Sequence, residues 1–326
     1  MAFNFWEAQR KARSRTSFYV LVFILLTLAV AAGAEWAMRA IDTEDYNPPF
    51  PLIGLIFVCL TFIVALFQYL MFRSQGGSYV AESVGARRVD PAYATLEEQQ
   101  LLNIVEEIAL AAHLPTPAVY ILEAQEINAF AAGLTTENAA VTVTRGCMQQ
   151  LSRDELQGVI AHEFGHIYNG DMAISLRLAA MLMGFYFVLY LAMRMMQLSN
   201  MQRSSGGRKN SGGVIVIGAL ILAAAGSIMW FAGSILKATI SRQREYLADA
   251  CAVQFTRNPN GIAGALKKIG GETVHDMPKS GMAISHMYLA DTSFFSDLFA
   301  THPPLPLRIA AIEGKTYMPD EWKQQP

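Results

Sequence analysis

Four long stretches almost without charge govern what this chain can become. Residues 17–34 and 52–72 are each close to the length that crosses the ~30 Å hydrocarbon core of a bilayer. Residues 214–236 run for 23 positions without a formal charge, and 178–193 for 16 positions between Arg177 and Arg194. Segments of this kind predict about four membrane helices. The last two, joined by a polar linker over 197–213 rich in Ser, Gly, Arg and Lys, also allow a buried hairpin that enters the bilayer without crossing it. Composition agrees: 53% of residues are hydrophobic and 16% charged, and the mean hydropathy of +0.28 is too apolar for an ordinary soluble enzyme.

Flanking charge predicts the orientation. Arg10, Lys11, Arg13 and Arg15 precede the first run, whereas the loop after it sets Arg39 against Asp42, Glu44 and Asp45. The positive-inside rule places the N-terminus, and everything that follows residue 72, in the cytosol. Arg194, Arg203, Arg208 and Lys209 between the last two runs oppose a full crossing there, and the sequence leaves that point open. The expected organisation is a two-span anchor over 1–72, a cytosolic part over 73–171, a hydrophobic hairpin over 172–236 and a second cytosolic part over 237–326. Net charge is −2, and no basic patch with interleaved aromatics points to nucleic acid. Cys59, Cys147 and Cys251 have neither metal-pair nor disulfide-framework spacing.

The chemistry is concentrated in His162-Glu163-Phe164-Gly165-His166. Histidines four apart share one face of a helix and can reach one zinc ion. The glutamate between them points elsewhere, where it can accept a proton from water rather than bind metal. Ser152 and Glu155 have capping-box spacing, Leu156, Val159, Ile160 and Ile167 keep helical spacing, and Asn169-Gly170-Asp171 supplies a glycine stop. Helix is also expected over 96–112 and short strands over 118–122 and 139–144. The last of these strands is the expected edge for holding an extended peptide.

A catalytic zinc needs a third protein ligand. The metzincin spacing would put a histidine where Met172 stands, so that class is excluded. Glu245, Asp249, His275, His286 and His302 are the downstream candidates. Glu245 and Asp249 are four apart just past the fourth apolar run, so one could bind zinc while the other holds a ligating histidine. Both could equally pair with Arg242 and Arg244 on a solvated helix face.

Four segments in this order resemble the integral-membrane zinc metalloproteases of the HtpX class, which also include the CAAX prenyl proteases. They are Ile127-Asn128-Ala129-Phe130-Ala131-Ala132-Gly133, residues 161–172, residues 241–250, and Thr301-His302-Pro303-Pro304 followed by Arg308-Ile309. The resemblance implies a mainly α fold with a small β-sheet, an α+β zincin-type protease domain, beside the membrane helices. It also implies one Zn2+ held by His162, His166 and Glu245, with Glu163 as general base and Asp249 supporting a ligand. Asn128 and His302 would contact the substrate carbonyl or the developing oxyanion. Polypeptide substrates, above all membrane proteins, and a role in quality control in a plasma or inner membrane are implied too. A CAAX-type protease cutting lipid-modified C-termini fits a four-span framework poorly. An inactive scaffold would have no need of the intact ligands and Glu163.

Overall fold

A computed structural model describes residues 5–41, 46–203, 211–271 and 303–314. The chain divides into two compact units. One is Met1–Tyr69 with Leu178–Leu236, and the other is Leu70–Arg177 with Lys237–Pro326.

The first unit is helical. Its stretches belong to α1 (Phe5–Ala40), α2 (Leu52–Ser83), α6 (Asp171–Arg203) and α7 (Ser211–Thr256). Each contains a segment long and apolar enough to cross a membrane: Leu21–Ala40, Leu52–Ser83, Asp171–Leu198 and Ile215–Leu236. The short apolar run expected over 178–193 is the middle of a 28-residue stretch, ~42 Å long as helix and sufficient for a bilayer. Phe23, Phe57 and Phe185 pack together, with Phe23 edge-on to Phe185 and Phe57 stacked on it. Small residues bring backbones close, as they do between helices in lipid: a Cβ on Gly54 would lie 2.8 Å from the Ala31 carbonyl oxygen. Glu35 is buried within this apolar bundle, yet its carboxylate is satisfied. It accepts from Arg39, the Tyr46 hydroxyl and the Ile53 N–H, so it caps the start of α2.

The second unit holds a mixed four-stranded sheet in the order β1-β2-β4-β3, with β1 Arg87–Arg88, β2 Ala118–Leu122, β3 Ala129–Ala132 and β4 Ala140–Thr144. β4 runs parallel to β2, pairing Ala118 with Ala140, and antiparallel to β3, pairing Ala129 with Val143. The strand expected as the peptide-holding edge, 139–144, is therefore paired on both sides, and its backbone groups are committed to the ladder. The sheet edge nearest the chemistry is β3, whose Ala-Phe-Ala-Ala sequence lacks both alternation and β-branching.

α3 (Leu96–Ala112), α5 (Arg153–Asn169), which follows the short α4 (Arg145–Gln150), and α8 (Pro259–Gly271) enclose the core with Leu101, Ile104, Ile108, Val141, Val143, Val159, Ile160 and Ile262 at its centre. Both α3 and α5 start at complete capping boxes, Thr95 with Glu98 and Ser152 with Glu155. α5 crosses α8 at two glycines. A Cβ on Gly158 would lie 2.4 Å from the Ile262 backbone nitrogen, and one on Gly261 2.5 Å from the Asp154 carbonyl oxygen. Because backbone stands against backbone, Gly158→Val must push the helices apart, an overpacking that costs about 1–3 kcal/mol. Thermal unfolding in detergent should show a lower midpoint for this variant. Gly271→Ala, where an added Cβ meets nothing within 4 Å, should leave it unchanged.

Candidate metal centre

α5 delivers His162 and His166 one turn apart, with Glu163 between them, and ends at Gly170 in the left-handed conformation (φ 72°, ψ 21°). α7 continues unbroken past its apolar stretch and carries Glu245 and Asp249 on adjacent turns. It comes close to α5 because Gly165 offers no side chain: a Cβ there would stand 2.9 Å from Ala248 Cα. Glu245 and Asp249 are consequently buried, at 1% and 3% exposure, which removes the alternative of a solvated helix face.

The two imidazoles meet edge to face, with ring centres 4.8 Å apart. Each presents its Nδ1 to a carboxylate: His162 to Asp249 Oδ1 at 2.9 Å and His166 to Asp171 Oδ2 at 3.2 Å. A carboxylate at Nδ1 favours the N–H there and leaves the lone pair on Nε2. Those Nε2 atoms converge on Glu245, at 3.6 Å from its Oε2 for His162 and 3.5 Å from its Oε1 for His166. Burial opposes protonation of His166, yet its hydrogen bonds to Asp171 and Glu245 raise its pKa well above the ordinary value.

Among the described residues, His162, His166 and Glu245 form a group able to hold a metal ion, with one ligand atom from each and all three within 4.8 Å of one another. His162 Nε2 is buried and makes no hydrogen bond to the protein. Such an orphan costs about 1–3 kcal/mol unless something fills its place. Tetrahedral nitrogen and oxygen ligands of zinc at ~2.0–2.1 Å stand ~3.4 Å apart, close to the 3.6 and 3.5 Å between each Nε2 and its facing Glu245 oxygen. The donor set fits a zinc ion.

Arg308, on α9 (Leu305–Ile312), is wholly buried beside this group. Its guanidinium grips Asp249 at both oxygens, Nε to Oδ2 at 2.9 Å and Nη2 to Oδ1 at 2.7 Å. Its Nη1 lies 3.0 Å from Glu245 Oε2. Burial alone would raise the Asp249 pKa. The charge and hydrogen bonds of Arg308, with those of His162, override this and hold it down to about 2. Glu163 differs: it is 3% exposed, and burial pushes its carboxyl above the usual range despite the two imidazoles. The backbone N–H of Ala131, on β3, donates to it.

Asn128 immediately precedes β3 and is buried, its Oδ1 accepting the Ala129 N–H at 3.0 Å and its own N–H donating to Thr144 Oγ1 at 2.9 Å. His302, like His275 and His286, lies outside the described residues. Of the residues read from the sequence, the structure brings together His162, Glu163, His166, Glu245 and Asp249. It adds three with no role at this group assigned from the sequence: Asp171, Arg244 and Arg308.

A model of peptidase family M48 matches residues 95–316, a span that includes every one of these side chains, and the chain belongs to that family of metalloproteases. Its relatives include the protease HtpX homolog of Caldanaerobacter subterraneus subsp. tengcongensis, 34% identical over 95% of this chain and 98% of that one. The protease HtpX homolog of Thermoanaerobacter pseudethanolicus is 35% identical over the same shares, and that of Streptococcus uberis 33% identical over 92% and 96%. The crystal structure of S. mikatae Ste24p aligns with a TM-score of 0.44 and 16% identity, over 95% of this chain and 66% of that one. Four membrane-capable helices among the described residues, together with the M48 match, define a membrane-associated metalloprotease.

Proposed function

We propose that the chain is a zinc-dependent endopeptidase whose site opens to the cytosol and which hydrolyses membrane or membrane-proximal proteins in quality control. The observation that carries the reading is the convergence of two imidazole Nε2 atoms and the Glu245 carboxylate beside a separate, buried Glu163. A zinc ion held by His162, His166 and Glu245 would supply Lewis acidity toward the scissile carbonyl. Glu163, oriented by the Ala131 N–H, takes the proton of the attacking water and delivers it to the leaving amine. Asp249 keeps His162 in the tautomer that offers Nε2, and Arg308 keeps Asp249 ionised. Asn128, buried just before β3, and His302 are assigned to the substrate carbonyl.

Comparing membrane-fraction proteomes of cells carrying the native chain or Glu163→Gln tests the substrate class: membrane proteins should accumulate with the variant. Accumulation confined to soluble proteins would reject it. The cytosolic orientation has its own test. Gln149 is exposed and, unlike the cap residue Ser152, makes no capping bond, while Cys147 and Cys251 are buried. With Cys59 replaced by alanine, Gln149→Cys should resist a membrane-impermeant thiol reagent in intact cells and react in inside-out vesicles. Labelling in intact cells would place the site on the other side of the membrane.

A further inference from the structure

His166 has a support that its sequence neighbourhood conceals. In an unbroken helix a residue five positions on points about 140° away from it. Here α5 stops at Asn169, and Gly170, left-handed at φ 72°, turns the chain so that Asp171 comes back beneath the imidazole. A Cβ on Gly170 would meet nothing within 4 Å, so its backbone conformation is what the position requires. Asp171 is buried at 6% exposure, and its two oxygens serve two different donors. Oδ2 faces His166 Nδ1 at 3.2 Å and Oδ1 pairs with Arg244 Nη1 at 2.8 Å. Arg244, itself 6% exposed, adjoins Glu245 in the chain.

We infer that Asp171 is a positioning residue for His166, locked in place by Arg244, so that each histidine is braced by its own carboxylate–arginine pair. The inference rests on His166 being a zinc ligand. His166–Asp171–Arg244 then repeats the logic of His162–Asp249–Arg308, with the carboxylate taken from α6 and the arginine from α7 where the first set takes them from α7 and α9. A carboxylate at Nδ1 fixes the ring and makes Nε2 a stronger donor to the metal. Removing such a partner typically weakens metal binding 10–100-fold. An acidic residue in the first turn of α6 also suits the helix dipole, but that role alone would not alter how zinc is held.

Asp171→Asn separates the two roles. Both neighbours are donors, and an amide has only one oxygen, so either His166 or Arg244 is left facing an NH2 group. The full-length protein, purified in detergent and loaded with zinc, is challenged with a chelator while zinc release is followed. Asp171→Asn should release zinc ~10–100-fold faster than the native chain. Its cobalt-substituted form should show a shifted visible spectrum. Should Asp171→Asn fail to fold, Asp171→Glu decides on the same scale, because it keeps a charge for Arg244 but displaces the oxygen from Nδ1. A folded variant with native release rate and spectrum, even with a lowered unfolding midpoint, makes Asp171 a structural brace and overturns the inference. His166→Ala is the companion measurement. If it loses zinc while Asp171→Asn retains it, the ligand set stands and the Asp171 assignment alone falls. If it retains zinc, both fall.

Discussion

Glu163→Gln should cleave peptide at least ~10²–10⁴-fold more slowly than the native chain while holding its metal normally. Glutamine has nearly the same volume, and its carbonyl oxygen can still accept the Ala131 N–H, so the buried position keeps its packing and its strand contact. What the amide lacks is a lone pair basic enough to take a proton from water. Its metal content should be unaffected, because Glu163 is outside the group of atoms that converge on one point. Turnover of a denatured-protein substrate and zinc per chain, measured on the same preparation, decide the matter. Near-native turnover would show that another group is the base.

The parts of this site legible in the sequence are those fixed by local geometry. Histidines four apart, a serine cap three residues before its glutamate, and a glycine stop are short-range relations, and α5 begins and ends where they place it. Glu245 is harder, since its approach to His162 depends on Gly165 and Ala248 meeting across two helices. Spacing alone left a solvated helix face open, and the resemblance pointed to a ligand before burial could. The sheet order escaped because β4 inserts between β2 and β3, a long-range choice that strand propensity does not carry. β3 itself is weakly marked, since Ala-Phe-Ala-Ala has neither branching nor alternation. Arg308 was overlooked as a role because arginine is among the residues least often fully buried. Only its three carboxylate contacts, on residues distant in sequence, make that burial tolerable. Asp171 needed the left-handed turn at Gly170, which a helical projection cannot represent.

Replacing Glu245 should remove metal and activity together. Glu245→Gln is the stringent version, because it preserves shape and changes charge. Two consequences act in the same direction. The ligand set falls from two imidazoles and a carboxylate to two imidazoles and a weak amide oxygen. Arg308, whose Nη1 sits 3.0 Å from Glu245 Oε2, also loses one of its two anionic partners and places less-compensated positive charge beside the point where a divalent cation would bind. Arg308 is held above its ordinary pKa, despite burial, by Asp249 and Glu245, so it cannot relieve the mismatch by shedding its proton. Asp249→Asn should behave differently, keeping all three ligand atoms and weakening metal binding by only ~10–100-fold. Elemental analysis after dialysis against chelator should therefore find zinc near zero in Glu245→Gln and still measurable in Asp249→Asn at low chelator. Arg308→Met should also lower the unfolding midpoint, because removing one partner of a buried ionic cluster typically costs about 3–5 kcal/mol. A zinc-replete Glu245→Gln beside a zinc-free Asp249→Asn would exchange the roles of the two carboxylates. Arg308 would then be gripping the ligand rather than its support.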